Sequence, residues 1–231
     1  MIITIDGPAG SGKSTVARKM AAALGIPYLD TGAMYRAVAL KALDTGTPFD
    51  QPDKLVELAR QTDIRLDCGP TYVRVVMDGR DVSEAVRSMR VSQHTNPVAS
   101  NPGIRRILVE KQREIGRQLG ALVTEGRDQG SVVFPDADLR VLLEASDSKR
   151  AERRCIELRA DGEEVDFDAV LANIRNRDGN DQVQWEPLLK DPRVVRIDTT
   201  NLTIAQVVDR LRHEVERVMG EMGRSRKKSS Y

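Results

Sequence analysis

The chain has 231 residues, 36 Lys and Arg against 35 Asp and Glu, a formal net charge of +1 and 3% aromatic residues. That length suits one α/β domain with an inserted or appended subdomain. The balanced charge and sparse aromatics leave no footprint for nucleic acid, and no run approaches membrane-spanning length. Cys68 and Cys155 form no Cys-x-x-Cys pair, and His94 and His213 have no metal-ligand spacing. Zinc and a disulfide framework are therefore not expected, and a reducing cytoplasm fits. The opening Met1–Asp6 has neither a basic region nor a long apolar segment and does not read as a signal peptide.

Ile2 to Ile5 is an apolar run that reads as a strand. Directly after it stands Gly7-Pro8-Ala9-Gly10-Ser11-Gly12-Lys13-Ser14-Thr15, with four residues between Gly7 and Gly12 and then Lys-Ser. Glycines let the backbone curl until successive N–H groups converge on a phosphate, and the following helix aims its positive end at the same point. Lys13 brings a charge to the β/γ-phosphates and Ser14 a hydroxyl to Mg²⁺. Strand, loop and helix together predict a nucleoside triphosphate site.

The helix from Lys13 places Val16, Ala17, Met20, Ala23 and Leu24 on one face and stops at Gly25. A second strand, Ile26 to Leu29, leads to Asp30, with Thr31 as cap for a helix from Gly32 to Leu43, and another helix spans Gln51 to Gln61. The period then changes. Ile64–Leu66 and Tyr72–Met77 alternate like half-buried strands around Gly69-Pro70, and Asp78-Gly79 marks a turn. Helices are expected from Glu84 to Ala99 and, capped by Asn101, to Leu119. Strands resume at Ala121–Thr124, Leu139–Leu143 and Val194–Ile197. Helices are predicted at Asp147–Ala160, Asp166–Arg177 and Thr203–Met219. The basic residues 220–231 are expected to be a disordered tail without a nucleic-acid role.

Strands followed by helices imply a parallel sheet covered on both faces, with ligands at the strands' carboxyl ends. The polar clusters fall there: the glycine loop after strand one, Asp30-Thr31 after strand two, Arg127-Asp128 after strand three. No Asn-Lys-x-Asp segment is present to read guanine. The strand that would end in Asp or Asp-Glu in a motor instead runs into Glu125-Gly126-Arg127-Asp128. Arg36, Arg127, Arg150, Arg153, Arg154 and Arg177 follow strands or open polar helices; they are either phosphate clamps or solvated surface charges, the clamp reading being stronger for Arg127.

The stretches Ile3–Pro8, Leu29-Asp30-Thr31-Gly32-Ala33-Met34-Tyr35-Arg36, Gly126-Arg127-Asp128-Gln129-Gly130 through Ala137, and Arg177-Asp178-Gly179-Asn180-Asp181 resemble the bacterial cytidylate kinases, in that family's order. The resemblance implies a P-loop core with a central parallel sheet (residues 1–62 and 120–219), an inserted antiparallel monophosphate-binding subdomain (63–119) and a helical lid (about 149–164). It implies transfer of the ATP γ-phosphoryl group, with Mg²⁺, to CMP or dCMP by a monomer. Gly7 through Thr15 would hold ATP. Lys13, Arg36, Arg127, Arg150, Arg153 and Arg154 would act on the phosphates. Arg36 and Arg127 would grip the CMP phosphate, Asp128 and Arg105 would read the cytosine edge, and Tyr35, Arg177 and Asp181 would hold the sugar, with Thr31 nearby. Two positions depart from the family. Among the residues that would bind CMP, Gln184 stands where an arginine is usual, and Asn96 stands where a serine touches the base. Another small-molecule P-loop kinase (UMP/CMP, adenylate or shikimate kinase) and an inactive P-loop nucleotide-binding protein remain the alternatives.

Overall fold

The computed structural model describes residues 1–160, 162 and 164–228, excepting the side chains of Arg177, Asn180, Asp181 and residues 222–228. Its centre is a five-stranded parallel sheet of β1 (Ile2–Asp6), β2 (Tyr28–Asp30), β6 (Leu122–Gly126), β7 (Leu139–Glu144) and β8 (Val195–Asp198), in the order β2-β6-β1-β7-β8. The inner strand β1 pairs with both β6 and β7, so Ile3 and Ile5 on one face and Thr4 and Asp6 on the other are all buried. That double burial explains the nearly continuous apolar character of its sequence.

Helix α1 (Lys13–Leu24) starts after Gly12, at φ 92°, and stops at Gly25, at φ 66°, whose N–H reaches the Ala21 and Ala22 carbonyls. Val16, Ala17 and Met20 are buried as expected, with Lys13 and Ala21, and Leu24 packs partly buried against the core; Ala23 alone of the expected stripe is exposed. Helix α2 (Thr31–Thr45) is capped by Asp30, whose carboxylate accepts the Ala33 N–H at 2.9 Å, and not by Thr31. The Thr31 hydroxyl donates instead to the Glu125 carbonyl at 2.8 Å, tying α2 to β6.

After α3 (Pro52–Gln61) come β3 (Ile64–Cys68), β4 (Val73–Met77) and β5 (Arg80–Asp81), an antiparallel sheet in register Ile64↔Met77 and Leu66↔Val75. Ile64, Val73, Val75 and Met77 share one apolar core with Ile3, Ile5 and Met34. The helix expected from Glu84 is divided: a single 3₁₀ turn, Ala85–Arg87, precedes α4 (Met89–Ala99). Ser88 is extended, and its hydroxyl caps α4 by accepting the Val91 N–H. Asn101 caps α5 (Pro102–Leu119) as predicted.

Sequence periodicity gave no warning of the five-residue π-helical turn Gln129–Val133, closed by the Phe134 N–H on the Gln129 carbonyl at 2.7 Å. Helix α6 spans Asp147–Ala160, and α7 runs Phe167–Lys190, far beyond the expected end at Arg177. Trp185 and Leu188 bury against Leu142 and Val194, and that contact carries the helix across Gly179 and Pro187 despite their poor propensity. Helix α8 (Ile204–Lys228) likewise continues past Met219, so residues 220–228 are helical where a disordered tail was expected; residues 229–231 lie outside the described residues.

Candidate active site

The loop between β1 and α1 is shaped by contacts that exclude side chains. Gly7 has φ 142°, and a Cβ there would stand 2.1 Å from the Leu143 carbonyl oxygen. Gly10, at φ 75°, lies against the Arg150 backbone and Cβ. Only glycine combines that dihedral with that closeness. Lys13 Nζ folds back to donate to the Pro8 carbonyl at 2.7 Å, bringing its charge over the loop.

Ser14 Oγ donates to Glu125 Oε1 at 2.9 Å, and the Tyr28 hydroxyl approaches the same oxygen at 3.3 Å. Burial and the Glu125 carboxylate raise the Tyr28 hydroxyl pKa above its ordinary value. Glu125 was not singled out from sequence, although an aliphatic strand ending in an acid was the available signal; the Gly-Arg-Asp that follows drew attention away from it. A hydroxyl and a carboxylate are hard oxygen donors that suit Mg²⁺, which takes one or two protein oxygens and completes its shell with phosphates and water. No group of three or more His, Cys, Asp or Glu that could hold a metal ion occurs among the described residues.

Across the strand ends lies a second cluster. Arg36 Nη2 contacts both Asp30 carboxylate oxygens, at 3.1 and 3.0 Å. Arg127 Nη1 donates to the Gly7 carbonyl at 2.6 Å, fastening the turn after β6 to the glycine loop. Arg105, on α5, donates to Asp128 and to the Ala99 carbonyl, with its guanidinium 6.0 Å from the Tyr35 ring centre. Tyr35 is buried, which pushes its hydroxyl up to about 12. The structure thus brings Tyr35, Arg105 and Asp128 into one cluster and sets Thr31 against the carboxyl end of β6.

Not every predicted residue joins them. Asn96 is exposed on α4, where its carbonyl takes the Ser100 N–H and hydroxyl. The Gln184 carbonyl accepts the Ser131 hydroxyl at 2.9 Å, while its side-chain oxygen is buried without a partner. The side chains of Arg177 and Asp181 lie outside the described residues.

On α6, Arg150 is buried. It donates to the Ala9 and Ala145 carbonyls at 3.1 and 3.0 Å and to the carboxylates of Asp147 and Asp178. Arg153 reaches the Gly10 carbonyl at 3.3 Å and the Thr199 carbonyl at 2.6 Å. Both therefore border the glycine loop. Arg154 does not do so here; it donates to Glu157 at 3.0 Å along the helix surface. Asp178 and Thr199, which hold Arg150 and Arg153, were not picked out as site residues, because each acts through a partner distant in sequence; Asp30, six residues before Arg36, was available from helix spacing but was not singled out.

A family model described as cytidylate kinase matches residues 3–217. The chain belongs to the cytidylate kinase family. It is 46% identical over 210 residues to a cytidylate kinase from Caldanaerobacter subterraneus, covering 90% of this chain and 92% of that one. It is 47% identical over 214 residues to a bifunctional pantoate ligase/cytidylate kinase from a Synechococcus strain. There the match covers 91% of this chain but only 39% of the relative, so the chain spans about two fifths of that longer protein. Among solved structures, an uncharacterised protein from Eubacterium ventriosum superposes with a TM-score of 0.52 at 13% identity over 94% of this chain and 98% of that one, a likeness of fold alone. Membership in the cytidylate kinase family makes the chain a phosphotransferase, in keeping with a glycine loop facing an arginine cluster. Among the described residues, no helix is long and apolar enough to cross a membrane.

Proposed function

We propose that the chain moves the γ-phosphoryl group of ATP onto CMP or dCMP, acting as a cytoplasmic monomer with Mg²⁺. The observation that carries this is the Arg127 guanidinium on the Gly7 carbonyl, directly beside the Asp128–Arg105 pair. One turn of chain touches both the triphosphate loop and a pocket able to read a base.

In this reading the loop N–H groups and Lys13 hold the donor phosphates. Ser14, with Glu125 behind it, would hold Mg²⁺, which supplies neutralisation of the donor's charge when bound. Arg36 and Arg127 turn from Asp30 and the Gly7 carbonyl to the acceptor phosphate. An arginine fork suits paired phosphate oxygens, and such clamps stabilise charge spreading over the transferring group. Arg150 and Arg153 border the donor from the lid. Asp128 accepts the exocyclic amino group of cytosine and repels the carbonyl that uracil presents there; leaving such a buried group unpaired is what makes discrimination strong. The acceptor is a phosphate oxygen already anionic at neutral pH, so no general base is required. Positioning and charge do the rest.

The test is a coupled assay for ADP release with CMP, dCMP, UMP, AMP and shikimate in parallel. CMP- and dCMP-dependent ADP formation is expected. Preference for another acceptor would install a different small-molecule kinase, and no acceptor-dependent ADP would leave a nucleotide-binding protein.

A further inference from the structure

Asp6 is the last residue of β1 and is buried completely, yet the mechanism above gives it no part. Its two carboxylate oxygens are both committed to one short piece of backbone. Oδ1 accepts the Gln129 N–H and Oδ2 accepts the Gly130 N–H, each at 2.7 Å. These are the first two residues of the π-helical turn, immediately after Arg127 and Asp128. The neighbouring Gly7 carbonyl takes the Arg127 guanidinium. The last residue of β1 and the first of the glycine loop therefore hold the acceptor-reading segment on both sides of Asp128.

The surroundings leave the turn no other seat. A Cβ on Gly130 would lie 2.7 Å from Thr4 Oγ1 and 3.2 Å from Asp6 Oδ2. The Gln129 side chain is fixed as well, donating to Gln112 at 3.1 Å and accepting from the Thr124 hydroxyl at 3.0 Å. A π-helical turn is rare and gains little from its own hydrogen bonds, so it persists where outside contacts impose it. Carboxylate bonds to backbone N–H groups are among the stronger ones available for that purpose.

We infer that Asp6 is a positioning residue for acceptor recognition: its carboxylate clamps the Gln129 and Gly130 amides so that Asp128 and Arg127 face the monophosphate nucleotide. The inference rests on the proposed acceptor reading. It separates Asp6 from the donor loop it adjoins, because the clamp points away from the P-loop amides and into the acceptor turn.

The experiment uses the full chain and four proteins: the parent, Asp6→Asn, Gly130→Ala and Asp138→Asn. Asparagine keeps the shape but can accept only one of the two amides and sets an NH₂ against the other. Asp138 is the control, an acid that accepts the Ile2 N–H at the other end of β1, at 2.7 Å. Amide hydrogen exchange over residues 127–134 and the KM values for CMP and ATP are measured. For Asp6→Asn, faster exchange in that segment and a KM for CMP raised about 10- to 100-fold are expected, from one lost amide hydrogen bond and an amide left facing the new NH₂. The KM for ATP should stay within about twofold, and Asp138→Asn should change neither. Unaltered exchange, or equal rises for both substrates, overturns the inference. If Asp6→Asn does not fold, Gly130→Ala must show the same CMP-only split, and a balanced loss rejects the clamp. A parent that phosphorylates no CMP refutes the functional proposal instead, and the exchange data then decide the clamp alone.

Discussion

The two halves of the proposed site are built from different material. The donor half is backbone: Gly7, Gly10 and Gly12 at positive φ curl the loop, and the start of α1 points its N–H groups inward. The acceptor half is side chains held in reserve. Arg36 rests on Asp30, Arg105 on Asp128 and Arg127 on the Gly7 carbonyl. A backbone cradle binds any triphosphate, because phosphates look alike. In the proposed reading, arginines parked on protein oxygens are redirected by one particular ligand, and specificity then resides on that side. Asp30 and Asp128 also compensate the Arg36 and Arg105 cations, which would be costly to leave unpaired in a partly buried setting.

Several substitutions would break or sharpen this contrast. Lys13→Ala removes the donor half's mobile charge, and turnover should fall about 10²- to 10³-fold with every acceptor, measured as kcat in the ADP assay. Asp128→Ala should act on one side only, lowering kcat/KM for CMP about 10- to 100-fold while ATP affinity by calorimetry stays unchanged. Equal CMP kinetics in that variant would remove the base-reading role.

Asp6, at the seam, should show the contrast through pH. Burial raises its pKa to about 7, against the opposing pull of the Gly130 and Gln129 amides, with Asp128 raising it and Lys13 lowering it. The folded chain therefore holds a proton that the unfolded chain releases near pH 4, and stability from this residue is lost as pH rises toward 7. Asn cannot ionise. The stability deficit of Asp6→Asn relative to the parent should narrow by about 2 kcal/mol between pH 5 and pH 8 in urea unfolding. A deficit independent of pH would contradict it.

Glu125→Gln probes the link behind Ser14. The Mg²⁺ concentration for half-maximal activity should rise about tenfold, accompanied by weaker calorimetric binding of Mg²⁺ with ATP, whereas CMP affinity should hold. The smallest effect is expected at Gln184, whose side-chain oxygen is buried and unpartnered beside the acceptor turn. Gln184→Arg should tighten CMP about threefold through an added cation, and no change in KM would show that this departure from the family pattern is neutral.

The donor loop was legible in sequence because its determinants are local. Glycine spacing, the preceding strand and the following helix all lie between Ile2 and Leu24, and each residue there does what its own chemistry dictates. The alternation of strands and helices likewise announced the parallel sheet, and the period change at Ile64 announced the antiparallel one. Arg127 and Asp128 could be located at a strand's end by the same logic. Their partners could not. The Arg36–Asp30 contact follows from helix geometry, but Arg105 meets Asp128 across 23 positions, and Ser14 meets Glu125 across 111.

Helix ends show the same division. Gly25 and Asn101 ended or began helices where local capping chemistry said they would. Helix α7 overran its expected end because Trp185 and Leu188 find Leu142 only once the sheet exists. The turn at Gln129–Val133 has no periodic signature, since its cause is Asp6 on a strand more than a hundred residues earlier. The sequence by itself determined the curled glycine loop, the sheet and the inventory of charges, for these rest on backbone preference and short-range pattern. Only tertiary structure decided which carboxylate holds which arginine and how the acceptor turn is clamped, because a hydrogen bond acts over about 3 Å in space and is indifferent to distance along the chain.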